Sequence, residues 1–79
     1  MNPKSVLAKL DARVEAIACE LAQAGISEIT TIKKVARYLG MTYGFVWSRV
    51  QQHELESIQC GRVLRLRRSE VARWIAVMS

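Results

Sequence analysis

The chain has 79 residues, with twelve Lys plus Arg against seven Asp plus Glu, one His, two Cys, one Pro and four Gly. That is one small domain, which buries only about 60% of the surface its unfolded form exposes, so the core is thin and an enclosed catalytic cleft has little room. A hydrophobic content of 51% with 24% charged residues excludes a disordered tail. No apolar run approaches the roughly 18 residues that span a bilayer, and the opening MNPKSVLAKLDARVEA is broken by charge too often for a secretory leader. A cytoplasmic protein with no membrane partner is the expectation. Cys19 and Cys60 lie far apart with no second Cys or His beside either, a pattern of reduced thiols that provides neither a metal site nor a disulfide framework. His53 is the single imidazole, and no nucleophile stands with its base at a workable spacing, so neither an enzyme nor a cofactor is expected.

From Ser5 to Ala24 the apolar residues Leu7, Leu10, Val14, Ile17 and Leu21 recur at alternating spacings of three and four, which predicts an amphipathic helix. Asn2 can cap it, Pro3 fits its first turn, and Gly25 can end it in a left-handed residue. The same rhythm is a coiled-coil seam, here under three heptads long, so the stripe is available for packing on its own domain or for self-association. This divides the chain into an N-terminal helix over residues 1–26 and a second unit over 27–79.

In the second unit Thr30 or Thr31 starts a helix carrying Ile32, Val35, Ala36 and Leu39, and Gly40 stops it. Thr42 caps another helix at once, through Phe45, Val46, Arg49, Val50 and His53. Two short helices joined by a few residues including Gly outline a helix-turn-helix. Next, Ile58, Leu64 and Leu66 alternate with Gln59, Val63, Arg65 and Arg67 around Gly61, a β-hairpin pattern. A three-residue loop of Cys60, Gly61 and Arg62 would set Ile58 opposite Leu64 and keep the apolar residues on one face, so the hydrophobic pattern favours that loop over a two-residue one. Arg65 and Arg67 point outward in either register. Ser69 is the expected cap of a last helix that closes the core with Val71, Trp74, Ile75 and Met78.

Charge is unevenly placed along this order. Residues 1–30 carry three bases against four acids, and residues 31–79 nine against three. Between Ser57 and Arg68 there are four Arg and no acid. Guanidinium binds phosphate through a bidentate fork and is less strongly hydrated than ammonium, which suits it to a nucleic-acid groove.

The run TIKKVARYLGMTYGFVWSRVQQHEL followed by IQCGRVLRLRRSEVARWI resembles the excisionase-type winged helix-turn-helix domain, related to the DNA-binding domain of the mercury-resistance regulator (MerR) group. Thr31, Val35-Ala36, Leu39-Gly40, Val46-Trp47, Val50, Glu54-Leu55, Gly61-Arg62, Leu64-Arg65-Leu66 and Arg68-Ser69-Glu70 carry the likeness. The resemblance implies a mainly α fold with a small β-hairpin wing, the second helix of the pair entering a major groove and the wing an adjacent minor groove. It implies double-stranded DNA as the partner, in a recombination directionality factor or small transcription regulator of a mobile element, with a recombinase or the transcription machinery as a further partner. Two features depart from the pattern. Tyr43, Ser48, Gln51 and Gln52 stand where such domains often have Arg or Lys, and the first helix lies outside the likeness.

On a helical wheel Val46 and Val50 mark the inner side, and Gly44, Ser48, Gln51 and Gln52 the outer one. Gly44 lets the backbone approach a duplex, Ser48 and the two Gln can read base edges, and the helix start at Thr42 and Tyr43 can meet phosphate. Trp47 reads as a partly buried structural residue. Arg49 is a rim contact, Arg62 the tip that inserts into a minor groove, and Arg65 and Arg67 hold flanking phosphates, while Arg68 belongs to the corner. Four to six such contacts give a log–log salt slope of about −4 to −5. A single module covers little DNA, so a homodimer or a head-to-tail oligomer on adjacent half-sites is expected. The competing reading is a protein-interaction module, antitoxin-like or an adaptor, that holds its partner with the first helix.

Overall fold

The computed structural model describes residues 3–78, with side chains from residue 11 onward. Its elements are α1 (Pro3–Gln23), β1 (Ile29–Thr30), α2 (Ile32–Leu39), α3 (Tyr43–Gln51), β2 (Ile58–Cys60), β3 (Val63–Arg67) and α4 (Arg68–Met78). The architecture is the expected one, mostly helical with a small antiparallel sheet, and the molecule measures 43 × 27 × 24 Å.

Pro3 opens α1, where its missing N–H costs nothing. At the other end Gly25 adopts φ 90°, with its own N–H donating to Ala22 O and that of Ile26 to Leu21 O, which satisfies carbonyls that the helix end leaves open. Val14 and Leu21 are buried and Ile17 is packed against the core, mainly through the α1–α4 interface. Leu7 and Leu10, the first two positions of the apolar stripe, and the Asn2 cap lie outside the residues whose side chains are described.

Thr31, not Thr30, caps α2; its extended backbone lets Oγ1 accept from Lys34 N at 3.2 Å. Ile32, Val35 and Ala36 are buried from this short helix. Gly40 ends it at φ 68°, and Thr42 caps α3 two residues later, its Oγ1 accepting from Phe45 N at 3.1 Å. The turn thus consists of Gly40, Met41 and Thr42, between two helices that pack on each other. α3 closes differently. His53, a non-glycine residue at φ 61°, donates its N–H to Val50 O, and Glu54 N donates to Arg49 O. These are the two bonds of a Schellman cap with His53 in the position that glycine usually takes.

Three details of the sheet and last helix differ from the sequence reading. First, the hairpin turn has two residues: Cys60 pairs with Val63, Gln59 with Leu64 and Ile58 with Arg65. Gly61 at φ 65° is followed by Arg62, which has no positive φ, the pattern of a type II′ turn, and Gln59 Nε2 braces it by donating to Gly61 O at 2.7 Å. Turn chemistry outweighs the hydrophobic pattern here, and Ile58 falls on the outer face opposite Arg65 rather than opposite Leu64. Arg65 and Arg67 still point outward, and Leu64 and Leu66 inward. Second, Ile29 and Thr30 form a third strand that pairs with Arg67 and Leu66. A two-residue strand carries no periodicity by which to recognise it. Third, α4 begins at Arg68 directly on the end of β3, so Ser69 lies inside its first turn and not ahead of it. Arg68 ties this corner, its N–H donating to Glu28 O at 2.8 Å and its guanidinium to Ile26 O at 3.1 Å.

The core is made of Val14, Leu21, Ile26, Ile32, Val35, Val46, Val50, Leu55, Leu66, Val71 and Trp74, with small residues between them. Ala72 and Ala76 take the inner face of α4, and Met78, expected in the core, is exposed at the end of the helix. Thr30 is buried with its Oγ1 unpartnered.

Candidate nucleic-acid interface

The inner side of α3 is fixed by Val46 and Val50, both buried. Gly44, Trp47, Gln51 and Gln52 are exposed on the outer side, and Ser48 is half-buried. Nothing lies within 4 Å of where a Cβ on Gly44 would stand, so the backbone at the helix start is open to approach. Ser48 Oγ donates to Phe45 O at 2.8 Å, which commits its proton to the helix and leaves its lone pairs outward. It therefore suits a donor such as the amino group of adenine or cytosine, not an acceptor. Gln51 has a free amide, whereas Gln52 caps the helix and its Oε1 receives Arg49 Nη1 at 3.4 Å.

Arg49 is held within the protein. Its guanidinium lies over the Phe45 ring, 4.6 Å from the centroid, and meets Glu54 Oε2 at 3.4 Å. A phosphate contact would have to displace that carboxylate. Tyr43 and Trp47 project one turn apart toward the hairpin.

The hairpin meets α3 along a groove of about 340 Å³. Tyr43 and Trp47 form one wall, Arg62 through Arg65 the other, and Thr31 and Ile32 the floor at the start of α2. Two guanidiniums and no carboxylate line it. A second groove, which shares Leu64 with the first and is lined in part by Gln51, His53, Glu56 and Gln59, holds a carboxylate and no Lys or Arg. Arg67 stands apart from both, in a hollow with Glu56 and Glu70. Of the sequence-predicted site residues, then, Tyr43, Arg62 and Arg65 come together, Gly44 and Ser48 lie on the adjoining face of α3, Gln51 lines the carboxylate-bearing groove, Arg49 is paired with Glu54, and Arg67 shares a hollow with two acids without pairing with either.

Trp47, read from the sequence as partly buried structure, is 44% exposed on the groove wall, whereas Trp74 is 5% exposed. Helical phase did not decide this, because Trp47 lies about 100° from Val46 but only about 60° from Val50, and both valines are buried.

A three-residue turn between α2 and α3, followed by a hairpin that flanks α3, defines a winged helix-turn-helix, a DNA-binding class of domain. Residues 31–76 match the family model described as helix-turn-helix domain, and the chain belongs to that family. No curated protein and no solved structure matches the chain. No helix among the described residues is long and apolar enough to cross a membrane.

Proposed function

We propose that the protein binds double-stranded DNA sequence-specifically, with α3 in a major groove and the β2–β3 hairpin at the adjacent minor groove, as an excisionase-like recombination directionality factor or a small transcription regulator. The observation that carries this reading is the groove shared by Tyr43, Trp47, Arg62 and Arg65, which joins the outer side of α3 to the hairpin in one acid-free surface. Thr42, Tyr43 and the open backbone at Gly44 meet the duplex first; Ser48, Gln51 and Gln52 face base edges; Arg62 and Arg65 supply the charge.

Burial of Val14 and Leu21 withdraws that part of the α1 stripe from any partner, which weighs against an interaction module built on it. Selection of duplexes from a random pool, followed by footprinting, tests the proposal. Enrichment of one sequence supports it, with tandem direct repeats favouring the recombination role and a palindrome a dimeric regulator. Failure to enrich any sequence refutes it.

A further inference from the structure

A body with one element in a major groove and another in the adjoining minor groove must straddle the single sugar–phosphate strand between them. The space left for that strand is the groove between α3 and the hairpin, and its chemistry fits. Among the described residues, the Tyr43 hydroxyl, the Trp47 indole N–H and the guanidiniums of Arg62 and Arg65 have no partner within the protein. β1 pairs only with Leu66 and Arg67, so the edge of β3 from Val63 to Arg65 is also unpaired along this groove. Val63, which is exposed, and the half-buried Leu64 supply apolar surface beside the donors. Donors, cations and apolar patches without a carboxylate suit a chain of alternating phosphates and deoxyriboses.

We propose that this groove seats one strand of the duplex backbone, with Trp47 Nε1 and the Tyr43 hydroxyl donating to its phosphates and the apolar residues lying against its sugars. Trp47 is then a positioning residue that fixes how deeply α3 enters the major groove. The inference rests on the DNA-binding reading above.

Trp47 reports on itself. Trp74 is buried, so acrylamide quenches chiefly Trp47, and a Trp47→Phe variant gives the background. The expected result is that a short mixed-sequence duplex at low salt protects the Trp47 emission from acrylamide. Trp47→Phe and Tyr43→Phe should each weaken duplex binding about three- to tenfold, one hydrogen bond's worth, with unchanged thermal unfolding. If the labelled duplex binds by anisotropy while Trp47 stays as open to acrylamide as in the free protein, the seat is wrong and the DNA-binding reading stands. Unchanged affinity in both variants overturns the seat in the same way. No binding to any duplex overturns both. Protection by polyglutamate equal to that by the duplex would assign the groove to carboxylates and overturn the proposal.

Discussion

The salt dependence of duplex binding follows from how many guanidiniums at the surface shared by α3 and the hairpin stand clear of carboxylates. Each phosphate neutralised by a Lys or Arg adds about −0.9 to the slope of log K against log salt. Arg62 and Arg65 border the acid-free groove, whereas Arg49 is paired with Glu54 at 3.4 Å and Arg67 shares its hollow with Glu56 and Glu70. Two full contacts per bound copy give a slope of about −1.8, well short of the −4 to −5 expected when every arginine of the region is counted. A fourfold rise in salt should then weaken binding about twelvefold in the native protein and about 3.5-fold in Arg62→Ala, whose slope falls to about −0.9. Glu54→Gln should act in the opposite direction, releasing Arg49 and steepening the slope by up to about 0.9. Fluorescence anisotropy of a labelled duplex across a salt series measures all three. A native slope of −4 or steeper, or an Arg62→Ala slope equal to the native one, would refute the assignment of charge to the groove.

Four substitutions test other parts of the structure. Gly44→Ala meets no atom within 4 Å in the free protein, so it should stabilise α3 by about 0.5–1 kcal/mol in denaturant unfolding yet weaken duplex binding, because in the proposed docking the methyl would stand between the helix start and the duplex. His53→Gly relieves a left-handed residue with a Cβ and should raise stability by about 1 kcal/mol, as read from the urea midpoint at constant m. Thr30→Val removes a buried hydroxyl that has no partner; calorimetry should show a neutral to stabilising change of about 1 kcal/mol, and a marked loss would mean the hydroxyl is bonded. Leu66→Ala empties the centre of the sheet's inner face and should cost about 2–5 kcal/mol, a large share of the roughly 5–15 kcal/mol of a small domain.

The amino-acid sequence by itself determined the features that rest on neighbouring residues. The caps at Thr31 and Thr42, the left-handed stops at Gly25 and Gly40, and the inward faces of α2 and α3 are local, since each depends on side chains within a few positions along the chain. The charge of the hairpin is read equally directly. Tertiary structure alone decided what depends on residues far apart in sequence. Ile29 and Thr30 become a strand only because Leu66 and Arg67 offer an edge, and α4 starts without a loop because Arg68 is tied to Ile26 and Glu28. Ile58 turns outward because the preference of Gly61 for positive φ sets a two-residue turn, a choice that the apolar pattern opposed. Most of all, which arginines are free and which tryptophan is exposed was settled by packing. Charge counts add along a chain, but availability to a partner depends on whether the fold sets a carboxylate or a ring beside each guanidinium, as it does for Arg49 and not for Arg62.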